Sequence, residues 1–487
     1  MIFNVTDVVR TVARRDPDAP ALVHGMPGAG RRPIDYATLD RILDSIAARL
    51  LATGLRAGAS IDVPTRDAFD LLLLRLGTAR AGMSSFQGMR DAGADAALIR
   101  SGHVLPECGM PVFFDSSWWS DEALASGRAV SIPPAGGAAV FAVLRTSGST
   151  GHPREVVVTH EMMRARWLAD FADGLPARAR MLCPSGPGGG VGMGFTLRVL
   201  QGAGTVVVPE EEDDLAALVD AHRVNSFLGS PSSVSRLMRG RDAAAGPFPS
   251  LEHVGLTGAR VSSALAGTVR ARACGNLWCE YGATEVGPVS FGSLAAMGDR
   301  PGAAGYLLPG IDVEALDEQG RPLPRGRTGL LRMRGPGMAH AYEGDAEATA
   351  RHFRDGWFVP GDVGAVLADG VLVIEGRNDD LINLGGSKFA PELFEDALLG
   401  VPGVVEAAAF PIRHPNGSSG VGAAIVAGDQ VGVPELEASF RRHQLPVPSV
   451  VMRVPRLPRT ESGKVLRREL AALASARLPA AQRGRGS

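Results

Sequence analysis

Residues 146–154 read Thr-Ser-Gly-Ser-Thr-Gly-His-Pro-Arg and lie between two apolar runs, residues 139–144 and residues 156–158. Both runs are typical of buried strands. A succession of small residues exposes backbone N–H groups and the hydroxyls add donors, so the loop can wrap a triphosphate, with Arg154 adding positive charge. It is not a Walker A loop, because it lacks Gly-Lys-Ser/Thr and leads into a strand rather than a helix. Taken alone, the stretch is also compatible with an ordinary surface loop.

The segments around this loop predict an α/β architecture. Apolar residues recur at helical spacing from Tyr36 to Gly54 and again from Ala68 to Ala81, with a short strand between the two helices. Short strands alternate with helical stretches between residues 200 and 300, as in layered α/β folds. Residues 302–375 are rich in Gly, Pro and short strands, which predicts a small β-subdomain. Residues 86–138 are weakly patterned and are expected to include loops.

The composition narrows the class of function. The chain has 487 residues, which predicts two or more domains, and its formal net charge of −2 gives no reason to expect nucleic acid or a membrane surface as a partner. The four cysteines lack metal-ligand spacing and are expected to be reduced. No apolar run reaches the ~18 residues that span a bilayer, and the first residues lack the features of a signal peptide, so a cytoplasmic location is expected.

Lysine is nearly absent from the chain. Lys388 and Lys464 are the two lysines of the sequence, so nearly all of its 50 basic residues are arginine. GC-rich coding explains this bias wherever charge alone matters. A lysine that survives the bias is a candidate for a position that needs a compact ammonium group instead of a planar fork.

Three further segments contain residues suited to nucleotide chemistry. Residues 280–285, Glu-Tyr-Gly-Ala-Thr-Glu, offer a tyrosine to stack on a base, a threonine for an oxyanion and a carboxylate for Mg²⁺. The turn at residues 360–362, Pro-Gly-Asp, followed by residues 376–377, Gly-Arg, suits ribose hydroxyls. Residues 459–464, Arg-Thr-Glu-Ser-Gly-Lys, place a lysine on a loop before a helix. Taken singly, these segments could also be a strand end with an exposed acid, a β-turn beside a surface arginine, and a solvated lysine.

In this order and at these separations, the segments resemble the acyl-adenylate-forming superfamily of acyl- and aryl-CoA synthetases, peptide-synthetase adenylation domains and beetle luciferases. The resemblance extends from about Tyr36 to Leu470. It implies an α/β protein whose large N-terminal domain, residues 1–376, has layered α/β subdomains and the small β-subdomain. A hinge at residues 377–380 would join it to a small mobile α+β C-terminal domain, residues 381–487, whose Ala/Arg/Gly-rich end is expected to be disordered.

The resemblance also implies an ATP-dependent reaction of a carboxylic acid that gives acyl-AMP and pyrophosphate, with Mg²⁺ required. Lys464 is the implied catalytic cation between carboxylate and phosphate; at ~4 Å and an effective dielectric of ~20 such a charge is worth roughly 4 kcal/mol. Thr284 is assigned to the α-phosphate, and Glu285 with Thr150 to the metal. The implied nucleotide-binding residues are Thr146, Ser147, Gly148, Ser149, Thr150, Gly151, Arg154, Gly258, Ala259, Tyr281, Asp362 and Arg377.

Members of the superfamily that form thioesters rotate the C-terminal domain about a hinge residue, which corresponds here to Asp379. The rotation brings a loop with two glycines, here Gly385 and Gly386, to the site. Coenzyme A or the phosphopantetheine of an acyl or peptidyl carrier protein is then the expected co-substrate. Lys388 lies just beyond the glycines and either serves this conformation or pairs with Glu392 at i,i+4.

The acid-binding pocket is expected beside Glu280, Gly189 and Gly190. Residues 187–194 contain neither the Asp used for α-amino groups nor the Asn found in several aryl-acid enzymes of the superfamily. A glutamate facing the pocket would be costly unless the substrate donates a hydrogen bond, which predicts an aromatic or short acid with an amino or hydroxyl group. In the alternative interpretation, Glu280 turns away towards a local arginine.

Two other functions remain open at this point. The activated group could pass to a non-thiol acceptor, or the enzyme could activate an oxyacid other than a carboxylate. A non-catalytic member that binds a nucleotide or a partner as a sensor is the third possibility, against which the presence of Lys464, Thr284 and Glu285 argues.

Overall fold

The computed structural model describes residues 3–26, 32–88, 93–100, 109–120, 124, 136–146, 154–168, 175–176, 178–210, 213–242, 245–261, 263–298, 300, 302–384, 387–414, 418–459 and 465–477. These residues form a large mixed α/β N-terminal domain and a small C-terminal domain. The fold class expected from the sequence is confirmed.

The N-terminal part of the chain supplies a six-stranded sheet, two long helices and two strands, β1 and β2, that belong to the larger sheet described below. Its elements are α1 (Asp7–Arg15), β1 (Pro20–His24), β2 (Ile34–Asp35), α2 (Tyr36–Ala52), β3 (Ser60–Asp62), α3 (Ala68–Arg80), β4 (Ser84–Phe86), β5 (Ala96–Arg100), β6 (Met110–Phe114), β7 (Val140–Thr146), β8 (Arg154–Thr159) and α4 (His160–Met163). Within the described residues the strand order is β6-β5-β3-β4-β7-β8, and only the β7–β8 pair is antiparallel.

Helix α3 is buried on all sides, because residues 71–76 place five leucines around one arginine. Asp67 caps its first turn by accepting from two backbone N–H groups. Arg75 is 1% exposed, and its Nη1 donates to Pro187 O and Gly188 O at 3.0 and 2.9 Å. The buried guanidinium therefore ties this helix to the glycine-rich segment of the next region.

The next region supplies parallel strands with intervening helices. Its elements are β9 (Arg180–Leu182), α5 (Gly190–Gln201), β10 (Thr205–Val208), α6 (Leu215–His222), β11 (Ser226–Gly229), α7 (Pro231–Arg239), β12 (His253–Thr257), α8 (Ser263–Arg272) and β13 (Leu277–Ala283). The strands β1, β10, β9, β11, β12 and β13 are neighbours in this order and all parallel. Their carboxyl ends share one edge of the sheet, where open α/β sheets bind ligands.

The same sheet continues as an antiparallel half. Its elements are β14 (Gly287–Ser293), β15 (Ala303–Leu307), β16 (Asp312–Leu316), β17 (Gly329–Arg334), α9 (Ala346–His352), β18 (Phe353–Arg354), β19 (Trp357–Phe358), β20 (Asp362–Val366) and β21 (Val371–Arg377). From β13 the order is β14-β15-β21-β20-β17-β19-β18, with β16 on β17. The short strands predicted between residues 302 and 375 are therefore present, and they hydrogen-bond to the main sheet through β15.

The C-terminal domain has its own sheets and cores. Its elements are a 3-10 turn (Asn378–Asp380), β22 (Ile382–Leu384), β23 (Ser387–Phe389), α10 (Pro391–Leu399), β24 (Val404–Arg413), β25 (Ser419–Ala427), α11 (Val433–Arg442), β26 (Val450–Arg453) and α12 (Arg467–Arg477). Phe394 of α10 and Phe440 of α11 pack in one core, and Leu470 of α12 packs with Phe410 and Met452 in another. The sheet β24-β25-β26 is thus covered on both faces.

Two regions differ from the sequence-based expectation. Helix α5 was not predicted, since three glycines among its first five residues interrupt the apolar spacing. The weakly patterned residues 86–138 contain two parallel strands, β5 and β6, in their described part. Helix α4, which follows β8 with Thr159 as its cap, lasts four residues before a π-helical turn (Arg164–Leu168).

Among the described residues, no helix has the length and apolar character that crossing a membrane requires.

Candidate active site

The two residues at the ends of the predicted phosphate loop are cross-strand partners in an antiparallel pair. Thr146 ends β7, Arg154 begins β8, and the two pair in antiparallel register. Ser147, Gly148, Ser149, Thr150 and Gly151 lie outside the described residues. The Arg154 guanidinium lies over the ring of Tyr342, with 5.2 Å between Cζ and the ring centroid, and Nη1 is 3.3 Å from His352 Nε2. The cation that the sequence predicted for phosphate is therefore placed by two aromatic side chains.

The predicted Thr284 and Glu285 form the turn between β13 and β14, and a buried arginine holds that turn. Arg166, on the π-helical turn, donates Nη1 to Thr284 O at 3.0 Å, Nη2 to Glu285 O at 2.8 Å and Nε to Gly337 O at 2.6 Å. Burial lowers the pKa of Arg166 to about 10, so it stays charged at neutral pH. Its planar fork fixes the backbone on which both predicted catalytic side chains stand.

The carboxylate of Glu285 is buried, with an exposed fraction of 7%, which excludes the exposed-acid alternative. Tyr342 donates its hydroxyl to Glu285 Oε1 at 2.6 Å. Burial and the neighbouring carboxylate raise the pKa of Tyr342, so the hydroxyl keeps its proton and acts as donor. Among the described residues there is no group of three His, Cys, Asp or Glu that could cage a metal. A single oriented carboxylate is nevertheless the donor set of Mg²⁺ sites in which phosphates and water supply the other ligands.

Tyr281, Asp362 and Arg377 meet at the ends of three strands. Asp362 on β20 and Arg377 on β21 are cross-strand partners, and Arg377 Nη1 is 3.2 Å from Asp362 Oδ1. The Tyr281 hydroxyl donates to the other oxygen, Asp362 Oδ2. Burial, followed by the charge of Asp362, raises the pKa of the Tyr281 phenol. Residues from motifs about 80 positions apart thus form one hydrogen-bonded cluster, as expected for a shared ligand.

Gly258 and Ala259 follow the end of β12 directly. Thr257 pairs with Glu280 of β13, which places the two residues beside Tyr281. Gly258 has φ +80°, and no described residue beyond its two chain neighbours has an atom within 4 Å of where a Cβ would be. The next residue, Arg260, forms an ion pair with Asp396 of α10, with 2.5 Å between Nη1 and Oδ2. The segment predicted to lie along adenine therefore also contacts the C-terminal domain.

Glu280 has an exposed fraction of 7%, and its Oε2 has no hydrogen-bond partner among the described residues. Burial raises the pKa of Glu280 to about 8, opposed by the charge of Arg198 on α5. The predicted pocket residues Gly189 and Gly190 are the cap and first residue of that helix. Each interpretation of Glu280 has one observation in its favour. The charge of Arg198 acts on the carboxyl, as the local-arginine interpretation expects, and Oε2 has no partner among the described residues, as the substrate-facing interpretation expects.

For the predicted catalytic lysine, the structure describes the two residues that flank its segment. Lys464 is outside the described residues, but the flanking Arg459 and Val465 form a β-bridge. Arg459 is held by Glu406 at 2.7 Å. Gly385 and Gly386 are likewise outside the described residues, and for Lys388 only the backbone, in β23, is described. Asp379 lies exposed in the 3-10 turn that follows β21.

The sequence analysis did not identify Arg166 and Tyr342 as residues of the site. Neither lies in a recognisable motif, and each contacts the 284–285 turn across more than fifty residues of chain. Tyrosine is scarce in this chain, with four in total, and that scarcity was the one available signal for Tyr342.

Two family models match the chain: AMP-binding enzyme over residues 109–343, and AMP-binding enzyme C-terminal domain over residues 393–464. A feruloyl-CoA synthase from Amycolatopsis sp is 29% identical, covering 94% of this chain and 96% of that protein. The medium/long-chain fatty-acid acyl-carrier-protein ligase FadD10 of Mycobacterium tuberculosis (strain CDC 1551 / Oshkosh) is 30% identical, covering 69% of this chain and 67% of that one. ATP-bound MatB from Rhodopseudomonas palustris shares the fold, with a TM-score of 0.79 at 23% identity over 96% of this chain and 99% of that one.

The fold and these matches define an AMP-forming ligase. The chain belongs to the AMP-binding enzyme family, and the acyl-adenylate-forming resemblance deduced from its motifs is confirmed.

The role of Arg166 leads to a stability prediction. Arg166→Met removes one donor from each of three carbonyl oxygens, of which Glu285 O keeps the Ala339 N–H as a second donor. We therefore expect the free energy of unfolding of the N-terminal domain to fall by about 3 kcal/mol in urea denaturation. Arg164→Met is the matched control from the same helical turn. Arg164 is half exposed and pairs with Glu161 at the surface, so its loss should change the free energy by less than about 0.5 kcal/mol. Equal effects of the two substitutions would contradict the bracing role of Arg166.

Glu280 leads to a prediction about pH. A carboxyl whose folded-state pKa is raised binds a proton in the native state that the unfolded chain has already released, so it lowers stability as pH rises from about 4.5 to about 8. Glu280→Gln removes this dependence. Its free energy of unfolding relative to the parent should therefore increase over that range, by about 1 kcal/mol per pH unit at the steepest point. A difference that stays constant with pH would show that the carboxyl is ionised in the folded protein.

Proposed function

We propose that this enzyme uses ATP to activate a carboxylic acid as its acyl-adenylate and then transfers the acyl group to a pantetheine thiol. In the first step a carboxylate oxygen attacks the α-phosphorus, the bond to the β-phosphate bridging oxygen breaks, and pyrophosphate leaves. In the second step the thiol replaces AMP at the acyl carbon. The family membership supports the adenylating chemistry, and the pantetheine acceptor is the new element of the proposal.

The observation that carries the proposal is the cluster of Tyr281, Asp362 and Arg377 beside the braced 284–285 turn. An aromatic face, a carboxylate that can accept two ribose hydroxyls and an arginine suit a nucleoside. The turn that begins three residues after Tyr281 brings Thr284 and Glu285 to where the phosphates of that nucleoside would extend. These groups lie at the carboxyl edge of the parallel strands, as ligands of such sheets do.

Each predicted residue then has a physical role. Lys464 would lie between the attacking carboxylate and the α-phosphate, where its charge counts most in the transition state. Thr284 would donate its hydroxyl to the α-phosphate. The loop residues 147–151 would bind the β- and γ-phosphates with backbone N–H groups, and Arg154, oriented by Tyr342 and His352, would add positive charge.

Glu285 with Thr150 would hold Mg²⁺, which when bound neutralises phosphate charge. The Tyr342 hydroxyl occupies one carboxylate oxygen of Glu285, and this orients the carboxylate and leaves the other oxygen for the ion. The residues present therefore fit the metal that the reaction requires.

The second step would need the C-terminal domain to turn about residues 377–380. Support comes from the position of Asp379, which is exposed in a short 3-10 turn between β21 and the separate C-terminal sheets. The ion pair of Arg260 with Asp396 joins the two domains. Such a pair can open and be solvated by water during a rotation without disrupting the hydrophobic core of either domain. Gly385, Gly386 and Lys388 would then approach the site with the thiol. The two relatives named above act on CoA and on an acyl carrier protein, which share the pantetheine thiol.

Lys464→Ala tests the first step. We expect ATP–pyrophosphate exchange with the preferred acid to fall by about 100-fold or more, with ATP binding little changed, because the charge acts mainly on the transition state. Lys388→Ala, the only other lysine available as a control, should keep the exchange rate near that of the parent. Near-normal exchange in Lys464→Ala would refute the assigned role, and absence of exchange with every acid tested on the parent enzyme would refute the proposed function.

Asp379→Pro tests the hinge. Proline fixes φ near −65° and removes the backbone N–H, so it should restrict rotation about this residue. We expect thioester formation to fall at least about 10-fold more than pyrophosphate exchange. Asp379→Ala, which keeps the backbone free, is the control. Equal losses in the two half-reactions would show that no rotation about this position separates them.

A further inference from the structure

Strand β13 presents two buried polar atoms that lack a hydrogen-bond partner in the described part of the chain: Trp278 Nε1 and Glu280 Oε2. Residues two apart on a strand point to the same face, with Cα atoms about 7 Å apart. Buried polar groups in native proteins are almost always paired. Two such atoms side by side on one face therefore indicate a missing ligand group.

The two side chains converge. The Trp278 indole stacks on Phe291, with 4.9 Å between ring centroids and 15° between planes. Phe291 lies directly opposite Glu280 in the β13–β14 register. Because Trp278 itself pairs with Ser293, its ring leans diagonally along the sheet towards the Glu280–Phe291 pair. The indole N–H and the carboxyl thus belong to one small patch, walled by aromatic faces.

The Glu280 end of the patch lies near a charge on helix α5. The intervening Cys279 packs on the opposite face of β13, in the core with Leu256 and Leu277. Glu280 instead interacts with the charge of Arg198 on α5, whose first residue is Gly190. Under the proposed function, on which this inference rests, the space between β13 and α5 takes the acyl part of the acid. The unpaired atoms therefore lie where substrate would be bound.

The hydrogen-bonding capacity of the two groups selects the ligand. The indole N–H only donates, and an ionised carboxylate only accepts. An aryl amine is uncharged at neutral pH and donates to the carboxylate, but its lone pair is delocalised into the ring and is a poor acceptor for the indole N–H. A methoxy or carbonyl oxygen can satisfy the indole but not the carboxylate. A hydroxyl accepts one hydrogen bond and donates another. It can also pair with a protonated Glu280, whose carbonyl oxygen still accepts.

We propose that Trp278 and Glu280 form a hydroxyl-binding subsite of the acyl pocket, in which Trp278 Nε1–H donates to the hydroxyl oxygen and the hydroxyl donates to Glu280 Oε2. The stacked Trp278–Phe291 pair supplies a flat wall beside the subsite, which suits a planar ring better than a flexible alkyl chain. The substrate class is therefore a ring-hydroxylated aryl acid. This is narrower than an acid with any donor group, because it excludes aryl amines as the best substrates.

The test compares matched acids on the full-length enzyme. Benzoic and cinnamic acids with a hydroxyl, amino, methoxy or no group at ring positions 3 and 4 are assayed by ATP-dependent pyrophosphate release. We expect one hydroxy acid to exceed its amino, methoxy and unsubstituted counterparts in kcat/KM by at least about 10-fold, because the analogues leave a buried group unpaired.

Two variants test which side chains cause the preference for a hydroxyl group. Trp278→Phe keeps a stacking ring but removes the N–H, and Glu280→Met removes the acceptor at similar length. In each we expect the ratio of kcat/KM for the hydroxy acid to that for the unsubstituted acid to fall below about 3. In Trp278→Phe, the kcat/KM for the amino-substituted aryl acid should also become equal to that for the hydroxy acid. Since each ratio is taken on one preparation, partial misfolding of a variant cancels out.

The outcomes separate this inference from the proposed function. Pyrophosphate release with several acids but no preference for a hydroxyl, or a preference that persists in both variants, overturns the subsite and leaves the adenylating function intact. No release with any acid refutes the proposed function instead. In that case, calorimetric binding of the same acids to the parent enzyme in the presence of ATP decides the subsite: tighter binding of a hydroxy acid supports it, and equal affinities overturn it.

Discussion

The geometry of the site depends on one guanidinium group. The turn between β13 and β14 ends the ladder hydrogen bonds of both strands, so its carbonyl oxygens need donors from elsewhere. Arg166 donates to Thr284 O and Glu285 O and, with the same planar fork, to Gly337 O on a neighbouring segment, while Ala339 N–H is a second donor to Glu285 O. Because the backbone of the turn is fixed in this way, Tyr342 can meet the Glu285 carboxylate at hydrogen-bond distance. Every proposed phosphate or metal contact of this turn follows from that brace.

The arginine-rich composition has a structural counterpart inside the protein. Arg75 and Arg166 are both buried, and both donate to backbone carbonyls rather than to carboxylates. Burial lowers the pKa of each to about 10, which leaves the charge intact at neutral pH. A lysine, whose pKa shifts readily on burial, would hold its charge less securely and would offer no planar fork. Coding bias towards arginine thus coincides with positions where only arginine could make these contacts.

Sequence patterns predicted the elements whose signals are local. Helices α2 and α3 follow from apolar spacing, and Asp35 and Asp67 cap them as short-range chemistry predicts. The motif with Tyr281 and the turn with Asp362 were also recognisable, yet their contact arises from strand order in a sheet that no local pattern encodes. Helix α5 was missed because glycines occupy its first turn, where backbone packing against the preceding loop replaces side-chain periodicity. The patch on β13 could be predicted only in part, since Glu280 stood out by its charge while Trp278 looked like an ordinary core residue.

The bridge between Arg459 and Val465 has a consequence for how a charge is delivered to a reaction. A lysine on a long tether samples a large volume, and most of that volume is unproductive. Val465, the residue that follows Lys464 in the sequence, bridges to Arg459, whose guanidinium pairs with Glu406 of β24. Under the proposed function, a rotation of the C-terminal domain would carry this anchored residue with it and change the distance between the lysine charge and the nucleotide in one step. The bridge would thus couple the timing of the adenylating step to the orientation of the whole domain.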